Sequence, residues 1–202
     1  VVNFFIKIDV MRVLILVLFL TFSQSVFAQH GNHAVSGYAD SVNAGLIPVD
    51  TMKKSTHRMA MANIGDVHVH LEYGSPGVRG RVIWGGLVPF DEVWSAGAHN
   101  ATSISFSNAV SFAGKKVEAG TYAFFLIPGK EKFTVILNKK FKQHLADEYD
   151  MKDDILRVEF TPETPQKTVQ RLTYEVVEQG KNKGQLRFSW ENKLISIPVS
   201  VK

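Results

Sequence analysis

Apolar and polar residues alternate at a period of two along most of this chain. Residues 66–73 (DVHVHLEY) show it best: Val67, Val69, Leu71 and Tyr73 fall on one face, and His68, His70 and Glu72 on the other. That is the pattern of a half-buried strand. Further short strands are predicted over 102–107, 109–113, 120–128, 133–138, 155–162, 170–178, 184–190 and 193–201. Turn-forming sequences join them: AGKK at 113–116, PGKEK at 128–132, QGKNKG at 179–184 and ENK at 191–193. Many short strands with such connections predict an all-β fold, an antiparallel β-sandwich of jelly-roll-like or barrel-like form. TYAFFLI (121–127) is almost continuously apolar and predicts a central strand buried on both faces. Pro198 donates no ladder hydrogen bond and pushes the last strand toward an edge or bulge. Helix is expected at most twice: a short piece at 38–44, and a turn or two within FKQHLADEYD (141–150).

One long segment breaks the alternation. Residues 73–102 (YGSPGVRGRVIWGGLVPFDEVWSAGAHNAT) hold six glycines, two prolines, two tryptophans and two arginines. That density demands specific turns, and binding residues concentrate on loops held by a rigid scaffold. Arg79 and Arg81 flank Gly80 close to Trp84. A guanidinium beside an aromatic plane can hold a carboxylate, a phosphate or a sugar hydroxyl; Arg81 can equally pin the loop through its own carbonyls. Trp84 and Trp94 can stack on a glycan or wall a pocket, or pack in the core with a partner for each indole N–H. Trp190 reads as core or rim. His99 and Asn100 complete the candidate ligand-binding set.

The N-terminus sorts the chain by compartment. Met11-Arg12 leads into the apolar run VLILVLFLTF, and Val26 and Ala28 are the small residues a signal peptidase reads. Residues 1–28 are therefore expected to be a signal peptide cleaved after Ala28, with translation beginning at Met11. The run is too short for a membrane span, so no span is expected after cleavage. The protein is expected to be exported, periplasmic or secreted. Residues 29–55 lack periodicity and read as a poorly ordered leader, followed by a single β-sandwich domain over 56–202. The 202 residues include no cysteine, which excludes disulfides, thiol catalysis and cysteine metal sites. The formal net charge is +4, without the clustered basic stripe of a nucleic-acid binder. KKFK at 139–142 reads as a solvated turn.

His68 and His70 project from one strand face. Imidazoles so placed suit zinc, copper or nickel; Glu72 is a possible third ligand, and His99 another if its loop folds over. This defines an alternative function, a metal-dependent hydrolase or oxidoreductase using a divalent transition metal such as zinc. The competing reading makes His-x-His-x-Glu the polar face of an amphipathic strand. His30 and His33 are a weak copper candidate near the expected mature terminus. No nucleophile elbow, phosphate loop, dinucleotide fingerprint or zinc-protease helix is present. Asp91-Glu92 and Asp153-Asp154 read as turn and cap residues.

Pro76, Gly80-Arg81, IWGGLVP (83–89) and Trp94…Gly97-Ala98…Ala101-Thr102 together resemble an uncharacterised family of exported bacterial domains, the DUF2911 group. So do AGTYAFFLIPG (119–129), FTVILNK (133–139), ILRVEF (155–160) and the closing SW-E-x-x-x-x-S-I-P-V. The resemblance runs from about residue 56 to the end. It implies an exported all-β domain of Bacteroidetes-type bacteria, and no activity. It also implies that this chain departs from its relatives at Ser75, Ser95 and Asn100, where arginine, arginine and glutamate are usual. Their joint replacement suggests an ion-paired cluster in relatives that is altered here. The leading expectation is a non-enzymatic module, without cofactor, that binds a small molecule, a glycan or an envelope protein through 73–102.

Overall fold

The computed structural model describes residues 37–202. Helix α1 (Tyr38–Asn43) precedes the strands β1 (Thr56–Ile64), β2 (Val67–Ser75), β3 (Ser103–Phe106), β4 (Val110–Phe112), β5 (Lys115–Val117), β6 (Gly120–Pro128), β7 (Phe133–Asn138), β8 (Asp154–Phe160), β9 (Val169–Glu178), β10 (Lys183–Glu191) and β11 (Lys193–Ser200). They form two antiparallel sheets, a six-stranded one in the order β1-β2-β3-β6-β7-β8 and a five-stranded one in the order β5-β4-β11-β10-β9. The sheets stack as a sandwich, and neither closes into a barrel.

Alternation decides what lies between the layers. Val67, Val69, Leu71 and Tyr73 of β2 are buried, as are Leu186 and Phe188 of β10 and Ile195 and Ile197 of β11. Tyr73 meets Tyr174 of β9 edge to face, with ring centroids 4.8 Å apart. β6 is buried on both faces, as its composition predicts. Phe124 and Leu126 join the core between the sheets. Ala123 and Phe125 point the other way, into a second cluster with Ala101 and Ile136. Val93, Phe141, Ala146 and Tyr149 cover that cluster. The outer face of the six-stranded sheet is thus roofed over β6 and β7, while His57, His68 and Glu72 stay exposed on β1 and β2.

Four expectations are corrected. β1 was not predicted, because methionines, alanines and a buried-side arginine blur its alternation. β5 falls on residues read as a turn. Residues 141–150 hold no α-helix; backbone pairing to residues 99–101 takes up their hydrogen-bonding groups, and tertiary pairing overrides local propensity. A 3-10 turn, Met151–Asp153, follows them, capped by the Asp150 carboxylate on Lys152 N (2.9 Å). β11 is not an edge strand, although its neighbour β4 pairs with it only at Val199 and Ser200.

The expected leader is corrected as well. Its described part, residues 37–55, is folded onto the sandwich. Asn43 Nδ2 donates to Arg171 O (2.9 Å), and its Oδ1 accepts from Arg171 N (2.7 Å), satisfying the free edge of β9. The Arg171 guanidinium is fully buried and donates to both Asp50 oxygens at 2.9 Å. It also donates to Met52 O, Lys54 O and Ser75 O. Tyr38 lies over the guanidinium, 5.0 Å from its ring centroid, and donates to Asp50 Oδ1 (3.0 Å). Burial alone would raise the Asp50 carboxyl; hydrogen bonds from Arg171 and Tyr38 and the Arg171 charge outweigh it and hold it below its ordinary value. The expected signal peptide, His30 and His33 lie outside the described residues. No described helix is long and apolar enough to cross a membrane.

Candidate functional site

The glycine-rich segment crosses from one sheet to the other. Near its start it pairs with β9: Val78 N donates to Gln170 O (2.7 Å), and Leu172 N to Pro76 O (3.0 Å). Further on it pairs with β6, where Trp94 N donates to Leu126 O (2.8 Å) and Leu126 N returns a bond to Trp94 O (3.0 Å). Between these anchors the chain folds on itself, with Val88 N donating to Ile83 O (2.9 Å) and Gly85 N to Val88 O (2.8 Å).

Trp84 is the wedge this fold delivers. Its ring centroid lies 5.0 Å from Phe133 of β7, 5.8 Å from Trp190 of β10 and 6.0 Å from Trp94. Trp94 stacks on Trp190 at 5.5 Å, and its indole N–H donates to Gly97 O (3.2 Å). Both tryptophans are half-buried parts of one aromatic cluster that plugs the space between the sheets, with Trp190 fully buried. The indole N–H groups of Trp84 and Trp190 are buried without an acceptor among the described residues.

The second half of the segment behaves differently. Trp94 pairs with Leu126, and Thr102 O accepts from Phe124 N (2.7 Å). Residues 95–101 therefore loop out between two positions of β6 that are only two residues apart. Thr102 N closes the neck on Ser95 O (3.2 Å), and Thr102 Oγ1 bonds Ala96 O (3.1 Å). Ala96 and His99 hold left-handed backbone, at φ 52° and 69°, which costs non-glycine residues about 1–3 kcal/mol each. The excursion rests on Gly74 of β2, where a Cβ would lie 2.2 Å from Ala98 O. Its far side is sewn to the 141–145 turn: Ala101 N donates to Gln143 O (3.0 Å), and Leu145 N to His99 O (2.8 Å).

That turn is itself anchored. The Tyr149 hydroxyl donates to Asp154 Oδ2 (2.8 Å), and Arg157 reaches both Asp154 Oδ2 (2.7 Å) and Tyr149 Oη (2.8 Å). Burial, reinforced by the adjoining carboxylate, pushes the phenol up to about 12.

Between the excursion, the end of β2 and the turn lies a cleft of about 720 Å³, a volume typical of small-molecule sites. Gly74 and Ala98 form part of its lining, with His57, Glu72, His99, Asn100 and Lys142 around them. Glu72 is shared between His57 Nε2 (3.6 Å) and His70 Nε2 (3.1 Å). Lys142 sits 5.7 Å from the Phe141 ring centroid. The amides of residues 96–100 donate to no acceptor among the described residues.

The residues singled out from sequence are dispersed. His99 and Asn100 share the cleft, and Glu72 faces them. Arg81 and Trp84 line a separate hollow. Arg81 also pins its own loop, donating from Nε to Val78 O (3.2 Å) and from Nη2 to Gly77 O. Arg79 is exposed beside the N-terminal segment, 3.4 Å from Lys53 O. Trp94 belongs to the aromatic plug. Ser75 and Ser95 are buried; the Ser75 hydroxyl donates to Leu172 O (2.7 Å), and that of Ser95 has no partner. Of the three departures, only Asn100 lines the cleft.

The metal constellation does not assemble. The rings of His68 and His70 lie 6.1 Å apart, with His68 Nδ1 on Asn63 Oδ1 (2.9 Å) and His70 on Glu72. Among the described residues no three His, Asp or Glu side chains are grouped to hold a metal ion. The histidines form the polar outer face of an amphipathic strand. Sequence reading missed His57, which sits on the unpredicted β1, and Lys142 and Gln143, whose turn looked like solvated surface. Nothing in their local sequence marks them; the register of β1 on β2, which sets His57 opposite Gly74, brings His57 to the site.

The chain matches the model of a protein family of unknown function, DUF2911, over residues 55–199. No curated protein and no solved structure matches it. The matched span begins just before β1 and ends within β11, so it takes in both sheets, the bridging segment and the cleft, and this chain belongs to the DUF2911 family.

Proposed function

We propose that the protein is an exported binding module, and that its ligand is a small polar molecule or a short stretch of glycan held in the cleft between residues 72–74, 98–101 and 141–143. The observation that carries this reading is the excursion at 95–101. A strained loop, seated on a glycine and tied to a second anchored turn, encloses a hollow of ligand size. Donors in the lining include Asn100, Lys142 and the imidazoles of His57 and His99, beside the Glu72 carboxylate. They suit a partner rich in acceptor oxygens. Export rests on the signal-peptide pattern ending at Ala28.

The test is a nuclear magnetic resonance titration of the full mature chain. The probes are a panel of neutral, amino and acidic mono- and oligosaccharides and small organic acids. Shifts that saturate with one probe and cluster at Gly74, Ala98–Ala101 and Phe141–Gln143 support the reading. A panel in which no probe produces saturating shifts at those residues overturns it.

A further inference from the structure

The other end of the same segment carries a second hollow, of about 410 Å³, against the β10–β11 turn. Trp84 and Phe90 supply aromatic surface to it, and Arg81, Lys130 and Lys193 bring three cations. Glu191 is the one carboxylate in its lining, and it accepts from its neighbour Asn192 N at 2.9 Å. Neither lysine has an ion-pair partner among the described residues, although Lys116, Lys132 and Lys140 elsewhere all do. Arg81 is held in place by two backbone carbonyls of its own loop. Trp84 is locked by the rings packed behind it. The aromatic surface and one of the three cations, Arg81, are therefore prearranged, which lowers the ordering cost of binding.

We propose that this hollow is a second binding site, separate from the cleft, for a ring that carries an acidic group. The ring packs against Trp84 and Phe90, and its carboxylate or sulfate is taken by Arg81, Lys130 and Lys193 through charge-assisted hydrogen bonds. Two sources offer that chemistry, an acidic sugar and an aromatic acid, and the experiment separates them.

Isothermal titration calorimetry of the full mature chain uses trigalacturonate, benzoate and the neutral maltotriose as probes, at low and high salt. One of the two acidic probes is expected to bind at a single site, and maltotriose to give no heat. Raising the salt should weaken the interaction, because exposed charges are screened. A Lys130→Gln/Lys193→Gln double variant, at an exposed and a half-buried position without an ion pair among the described residues, should lose at least tenfold in affinity while keeping the wild-type unfolding midpoint. Absence of heat with both acids overturns the site, as does equal binding of maltotriose or wild-type affinity in the double variant.

Discussion

The two parts of the 73–102 segment differ in composition and in physical role: residues 76–94 hold four glycines and both tryptophans, residues 95–101 a single glycine. Residues 76–94 are paired to β9, folded on themselves and driven by Trp84 into a cluster that draws on both sheets. Residues 95–101 leave that framework and enclose a cleft, and left-handed non-glycine backbone occurs in both parts, at Arg79 and Asp91 as at Ala96 and His99. Glycine and tryptophan density therefore marks where the backbone must turn and plug. The chemistry collects where polar residues occupy strained, loosely bonded positions.

The comparison predicts a steep difference in stability effects. Trp84→Ala should lower the unfolding free energy by about 3–5 kcal/mol, whereas Asn100→Ala in the excursion should change it by less than about 0.5 kcal/mol. Denaturant titrations read both, and similar losses would erase the distinction between the halves.

The first half is also fastened through Arg171, which bonds Ser75 O while Asp50 fills the space where a side chain on Gly77 would stand. Asp50→Asn leaves a buried guanidinium without its counter-charge and should cost about 3–5 kcal/mol. The Asp50 carboxyl is held below its ordinary value in the folded state. Its contribution is therefore present above the usual aspartate range near about 4 and disappears as pH falls through the lower folded value. The gap between wild type and Asp50→Asn should narrow on acidification below about pH 4; a gap that stays constant contradicts the assignment.

Gly74 is where the second half touches the sheet. Gly74→Ala forces its new methyl into Ala98 O and should destabilise by about 1–3 kcal/mol, with resonance changes centred on residues 96–101. A small stabilising effect sharpens the comparison most. His99→Gly relieves a left-handed backbone and should raise stability by up to about 1 kcal/mol while weakening whichever probe binds the cleft. A destabilised His99→Gly variant would mean that the excursion is held by contacts and is not strained.

Much of the fold was legible because period two is a direct imprint of sheet burial. The stretch from β6 to β7 was predicted to the residue, and the double burial of β6 follows from its unbroken apolar run. The strands that escaped are those whose side chains hide the period, such as β1 with its methionines, and β5, which is three residues long. The N-terminal segment escaped for another reason. Its order comes from partners far along the chain, Arg171 for Asp50 and the β9 backbone for Asn43, and no local pattern announces them. The same limit applies to the site. His99 and Asn100 were visible as polar residues in a glycine-rich loop, but His57 and Lys142 join them only through strand register and loop-to-loop pairing.

Amide hydrogen exchange, resolved along residues 73–102 of the full chain, tests the central division most directly. The amides of Val78, Val88 and Trp94 donate to backbone carbonyls, and they should exchange near the rate set by global unfolding. Those of Ala98, His99 and Asn100, which have no acceptor among the described residues, should exchange orders of magnitude faster. Uniform protection across the whole stretch, or fast exchange at Val78 and Trp94, would contradict the account.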